Sequence, residues 1–240
     1  MADLKNKFDF FIRQKTKFTR KNYSPRPQKV SDLIPNNQYD LTILKSDITR
    51  QNCIENLYIL DILDKYFRIY PMQDLKVLDI GSKNWNYAKG EYIFFKYNCH
   101  HLELTGVELD AHRLCWNLYS RKEIARYNIK YLPFTKYVDE DFMKLNGKFD
   151  YITWFLPFLG EFQHKAWGLP MEFFNPKAML AHAKECLNDG GAMFIVNQGE
   201  SEFWLQKQLC EDLGLEYQEI GLIGSEFSPY KLPRYALIVY

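Results

Sequence analysis

The sequence predicts a doubly wound α/β domain with a mostly parallel, seven-stranded sheet, and three observations carry that prediction. A β-rich apolar run, Leu-Lys-Val-Leu-Asp-Ile-Gly-Ser at 75–82, ends in an acid, one more apolar residue and a glycine. Strand-like apolar runs then alternate with helix-length segments as far as residue 213. Two further strand-like runs, 216–222 and 235–240, follow without a helix between them and suit an antiparallel end to the sheet.

Each element follows from its residues. Ile48, Ile54, Leu57, Leu60, Ile62 and Leu63 recur at helical spacing up to Phe67, with Ser46 or Asp47 placed to cap the start. Val77, Leu78 and Ile80 suit a central strand covered on both faces, and Gly81 permits a tight turn and close approach of a ligand to backbone. Residues 87–97 form the first crossover helix, weakened by Gly90. The second strand is 103–109 and the second helix 111–127; a third strand falls within 129–138, interrupted by Pro133. Residues 149–155 make the fourth strand. Asn175 and Pro176 supply an N-cap and a first-turn proline for a helix to Leu187. Asn-Asp-Gly-Gly at 188–191 then turns into a fifth strand at 192–196, and a helix over 202–213 precedes the last two strands.

Composition bounds the function. A chain of 240 residues can bury the core of one α/β domain, here divided into a basic N-terminal extension over 1–40 and the domain itself over 41–240. Aromatic residues are 17% of the chain, which favours flat apolar surfaces for packing or stacking. A net charge of +1 advertises no global field for nucleic acid or membrane. Residues 1–30 are the exception, with nine Lys and Arg against Asp3 and Asp9, or 9 − 2 = +7. Phe8, Phe11, Ile12, Lys15 and Phe18 fall there at helix spacing. The segment reads either as an arm touching RNA or as a helix packing its Phe stripe on the core. Five widely spaced cysteines without a Cys-x-x-Cys pair, no apolar signal core and no membrane-length run point to a cytoplasmic protein. No metal is expected: His100 and His101 beside Cys99 cannot easily converge on one tetrahedral ion, and no second spaced pair completes a site.

The ordered motifs resemble those of class I S-adenosylmethionine-dependent methyltransferases over about residues 41–240. Val-Leu-Asp-Ile-Gly at 77–81 is similar to the first motif of that family, Gly-Val-Glu-Leu-Asp at 106–110 to the second and Asp-Phe-Met-Lys-Leu at 141–145 to the third. Phe-Asp-Tyr-Ile-Thr-Trp at 149–154 and Leu-Asn-Asp-Gly-Gly-Ala-Met-Phe-Ile at 187–195 resemble the fourth and fifth. The resemblance implies a Rossmann-like fold and S-adenosylmethionine as cofactor, leaving as S-adenosylhomocysteine. It also implies a cofactor site built from Asp79, Gly81, Ser82, Glu108, Asp141 and Phe142. Glu108 would accept both ribose hydroxyls and Asp141 the adenine amino group beside the apolar wall of Phe142, with Asp139 competing for the role of Asp141. Asp79 would face the methionine end, and Asp150 reads as a structural strand-end residue.

One departure stands out. The glycine-rich turn continues as Gly-Ser-Lys-Asn-Trp at 81–85, with a single glycine and with Trp85 where the turn should hug a ligand. A Gly-x-Gly-x-x-Gly dinucleotide fingerprint is absent, and so is a Gly-x-Ser-x-Gly nucleophile elbow. After the fourth strand, Phe-Leu-Pro-Phe at 155–158 replaces the Asn/Asp-Pro-Pro-aromatic signature of amino-group methylation, which argues against base or glutamine acceptors. Phe155, Pro157 and Trp167 are expected in an acceptor pocket, and residues 159–174 read as a lid. Glu161 and His164 are the candidate catalytic groups, His164 because its ordinary pKa suits a base, against the commoner case of an exposed loop histidine. Residues 197–200 can also face an acceptor. The expectation is a methyltransferase acting on a small or medium acceptor. Its alternatives are an RNA methyltransferase using the basic arm and a non-catalytic binding protein on the same fold.

Overall fold

The structure, a computed structural model, describes residues 2–18, 20, 23–45 and 48–240. Its sheet contains β1 (Met72–Ile80), β2 (Cys99–Val107), β3 (Thr135–Val138), β4 (Phe149–Phe155), β5 (Leu187–Gln198), β6 (Tyr217–Ile223) and β7 (Arg234–Val239). The strand order is β3-β2-β1-β4-β5-β7-β6. The first five strands pair in parallel, and β7 runs antiparallel between β5 and β6. This is the doubly wound, mostly parallel arrangement the alternation demands.

The helices are α1 (Ala2–Thr16), α2 (Arg50–Tyr66), α3 (Ala88–Tyr97), α4 (Arg121–Ile129), α5 (Glu161–Ala166), α6 (Pro176–Glu185) and α7 (Gly199–Asp212). Successive strand residues feed opposite faces, so Val77, Leu104, Tyr151 and Phe194 join one core with α2, α3 and α4. Leu78, Ile80, Ile152 and Ile195 join a second core with α6 and α7. Gly90 is required where α3 crosses α2: a Cβ there would lie 2.3 Å from the Asn56 carbonyl oxygen. The same close approach lets Asn56 Oδ1 accept the Gly90 N–H at 2.7 Å.

Several expected boundaries move. Thr49 caps α2, its hydroxyl accepting the Asn52 N–H, while Ser46 and Asp47 lie outside the described residues. The helix expected over 111–127 is reduced to α4, because residues 110–120 are held in another conformation. Asp110 accepts both Arg13 and Arg113, Leu114 bridges to Ser120, and Ser120 with Glu123 forms a capping box that starts the helix there. Pro133 precedes β3 rather than interrupting it, which sets Val107 opposite Val138. The turn at 188–191 is a bulge inside β5, seen as a register shift between Phe149 and Tyr151. Asp150 is structural, accepting the Lys76 N–H and the Asn188 amide.

The amphipathic reading of α1 is corrected in its direction. Phe8 and Phe11 are 65% and 58% exposed, and the face that packs inward presents Asn6, Phe10 and Arg13. Polar anchoring explains this choice. Asn6 donates to the carbonyls of Lys165 and Leu169, Asp3 accepts the Met171 N–H, and Arg13 forms a two-point pair with Asp110, so α1 lies along the segment after β4.

Candidate active site

At the carboxyl edge of the sheet, between β1 and β4, the strand order reverses, and there an α/β fold opens a crevice. A cleft of about 880 Å³, its mouth included, lies at that edge. Gly81, Glu108, Asp141 and Phe142 all line it, so four of the six residues expected at a cofactor come together from three separate strand ends. Gly81 takes φ +73°, a left-handed conformation suited to glycine, and the N–H groups of Gly81 and Ser82 both donate to the Val107 carbonyl. That tie brings the turn after β1 against Glu108.

Glu108 is buried and heavily engaged. Its Oε1 accepts the Asp110 N–H at 2.9 Å and Arg121 Nη1 at 2.7 Å, and its Oε2 accepts the Lys83 N–H at 3.0 Å. A carboxylate has about four acceptor positions, so one remains, on Oε2. Asp141 caps the short 3-10 turn Phe142–Lys144 through Oδ1, leaving Oδ2 free of that cap. Asp139 is drawn away to Lys122 and His112.

Trp85 does not obstruct the cleft. Its ring is fully buried against β2, and its indole N–H donates to Glu91 Oε2 at 2.7 Å. Asp79 and Ser82 stand behind the cleft wall, both fully buried. Asp79 accepts the Tyr87 hydroxyl, and the Thr153 hydroxyl, 3.3 Å from Asp79 Oδ1, gives its single proton to Glu91 Oε1 at 2.7 Å. Burial, then the Glu91 charge, raises the Asp79 carboxyl well above its usual range; burial likewise raises Glu91. Neither carboxylate meets a cation among the described residues.

The segment after β4 covers the cleft. Phe155, Pro157, His164 and Trp167 line it, and Trp167 lies 4.6 Å from Lys83 Nζ and 5.5 Å from the Arg121 guanidinium. His164 is on α5 rather than an exposed loop, and only 3% of its surface is accessible. Its Nε2 lies 2.8 Å from the Pro170 carbonyl, which can only accept, so Nε2 carries the proton and Nδ1 is the bare nitrogen. Burial lowers its pKa. Glu161 faces solvent, paired with Lys165, and does not line the cleft. Asn197 is fully buried and does not line this cleft.

Sequence reasoning missed Arg121, Glu91 and Tyr87. Arg121 was signalled only as the first residue after the Ser120 cap, a position no motif marks. Glu91 and Tyr87 sit one helical turn apart at the start of α3, and their partners lie on β1, on β4 and in the turn after β1.

No protein-family model matches the chain, and no curated protein matches it. Solved structures do. A S-adenosylmethionine-dependent methyltransferase from Aquifex aeolicus superposes with a TM-score of 0.56 at 13% identity, covering 84% of this chain and 98% of the other. Aeropyrum pernix fibrillarin, solved with natively bound S-adenosyl-L-methionine, superposes with a TM-score of 0.50 at 12% identity, covering 78% and 76%. The chain has the Rossmann-like fold of the class I S-adenosylmethionine-dependent methyltransferases. Among the described residues no helix is long and apolar enough to cross a membrane.

Proposed function

We propose that the protein is an S-adenosylmethionine-dependent methyltransferase acting on a small or medium acceptor. One observation carries the reading: Gly81, Glu108 and Asp141, from the ends of β1, β2 and β3, converge on one cleft at the switch point of the sheet. The residues fit the adenosyl group. Gly81 leaves open space where a Cβ would stand, Glu108 retains one acceptor position, and Phe142 and Leu109 supply apolar walls. When bound, S-adenosylmethionine supplies an electrophilic methyl group on a cationic sulfur that departs as a neutral thioether once an acceptor lone pair takes the methyl.

The chain itself does the rest. Glu108 Oε2 takes one ribose hydroxyl, since Oε1 is already filled by Arg121 and the Asp110 N–H. Asp141 Oδ2 accepts an amino group. The segment closed by Trp167 keeps water out, and His164 Nδ1 is a base for an acceptor that must lose a proton. Isothermal titration with S-adenosylmethionine and S-adenosylhomocysteine tests the reading: both ligands should bind in the micromolar range, and an absence of heat from both would remove it.

The basic segment supports RNA as acceptor less well. Lys5, Lys7 and Arg13 are each paired with carboxylates inside the protein. The +7 already subtracts Asp3 and Asp9, so of these pairs only Arg13 with Asp110 and Lys7 with Glu172 lower the charge left for phosphates.

A further inference from the structure

A second cleft of about 750 Å³, mouth included, opens on the other face of the same sheet edge. It meets the first at Lys83, Phe155 and Leu156, which line both. Four aromatic side chains, Tyr58, Tyr87, Phe155 and Tyr230, stand in its walls. Two groups in those walls lack the partners that burial demands. Arg234 is only 7% exposed, yet its guanidinium donates only to the carbonyls of Leu232 and Pro233 and stacks over the Tyr230 ring, and no carboxylate pairs with it among the described residues. The Tyr58 hydroxyl is buried with no hydrogen-bond partner among them. A largely buried guanidinium with no paired carboxylate and a buried hydroxyl without a partner can both be satisfied by one bound anion.

We propose that this second cleft is the acceptor site and that it selects a small molecule with an aromatic body and a carboxylate, the carboxylate held by Arg234 and the Tyr58 hydroxyl. This rests on the methyltransferase reading for the word acceptor; the binding itself does not. Glu55 also lines this cleft, and repulsion between like charges favours a pose with the ligand carboxylate turned away from it. Arg234 suits the task because its planar fork matches a carboxylate, and the stack on Tyr230 fixes the plane of that fork. Lys83 places a further positive charge where the clefts join, with no salt bridge to a carboxylate among the described residues and its Nζ over the Trp167 ring. The acceptor's reacting end would therefore lie toward Lys83 and Phe155, next to the first cleft.

The test is titration of the cofactor-free protein with 4-hydroxybenzoate and with p-cresol, which lacks the carboxylate, followed by ligand-observed NMR. Binding of the acid should exceed that of p-cresol by about tenfold or more, the scale of a hydrogen bond to a charged group. Arg234→Gln should abolish the difference. Tyr58→Phe, which removes no internal hydrogen bond and leaves folding intact, should weaken the acid by several-fold and p-cresol not at all. Equal binding of the two probes, or of the acid to wild type and both variants, would overturn the proposal. So would a cofactor role for Arg234, in which Arg234→Gln weakens S-adenosylhomocysteine but spares 5′-methylthioadenosine. Acid binding of the expected pattern with no binding of S-adenosylhomocysteine would remove the methyltransferase reading and retain the carboxylate site.

Discussion

Trp85 is seated on Gly106: a Cβ at residue 106 would come within 2.7 Å of the indole ring. The glycine of β2 thus belongs to the tryptophan of the preceding turn, and the bulky residue that replaces a second loop glycine is accommodated by the strand beneath it. Gly106→Ala should destabilise the fold by about 1–3 kcal/mol through overpacking, read as a lowered urea midpoint at unchanged slope. Trp85→Phe should relieve the crowding of Gly106→Ala in the double variant. An alanine at 106 that leaves the midpoint unmoved would show that the ring shifts freely.

The carboxyl pair behind the cleft predicts a pH dependence of stability. Burial raises Glu91 from 4.5 to about 7, and Thr153 and the Trp85 indole, its hydrogen-bond donors, oppose the rise without cancelling it. Because the folded state holds the proton more tightly, the contribution is full below about 4.5, declines as pH rises and is gone above about 7. Asp79, raised by burial and by Glu91, acts in the same direction. The slope is at most about 1.4 kcal/mol per pH unit for one proton. Glu91→Gln, which keeps an oxygen for the indole, should flatten the thermal midpoint between pH 5 and 7. A slope identical to wild type would assign the dependence elsewhere.

Glu108 holds the structure as well as the candidate cofactor site, and its two roles separate by substitution. Glu108→Ala leaves Arg121 buried without its partner and should cost about 3–5 kcal/mol in stability. Glu108→Gln should cost less, because the amide oxygen still accepts from Arg121 or the Asp110 N–H. Both variants should weaken S-adenosylhomocysteine about tenfold or more if Oε2 holds a ribose hydroxyl. Full affinity in Glu108→Gln would place the ribose on other residues, and the midpoint of the same variant shows that the protein measured is folded.

How far the sequence speaks depends on the range of the interaction that decides each element. β4 is found at 149–155, as expected, since an apolar run between turn residues needs no distant partner to be a strand. The helix expected from residue 111 is displaced because Arg13 reaches Asp110 across 97 positions, and no local pattern announces that bond. The inward face of α1 is chosen for the same reason by Asn6 and Asp3, against the Phe stripe that periodicity favours. The family resemblance singles out Gly81, Glu108 and Asp141, and all three line one cleft, as strand-end positions in this topology do. Arg234 and Tyr58 were not legible, because what marks them is a missing partner, which only coordinates display.

The contacts of α1 make it a clamp on the segment that covers the cleft. Phe10 packs on Phe173 with ring centroids 5.1 Å apart, and Asn6 and Arg13 together bond the carbonyls of Lys165, Gly168 and Leu169. Those carbonyls belong to the stretch that carries His164 and Trp167. Phe10→Ala should therefore open residues 161–173 locally by about 3 kcal/mol, seen as faster amide exchange there while the strands keep their protection. S-adenosylhomocysteine should dissociate faster in the same variant, because Trp167 would spend more time away from Lys83 and Arg121. Phe8→Ala is the matched control: Phe8 lies on the same helix but is 65% exposed, and its loss should change neither exchange nor release. Uniform acceleration of exchange across the sheet in Phe10→Ala would make α1 part of the global core instead of a clamp on the cover.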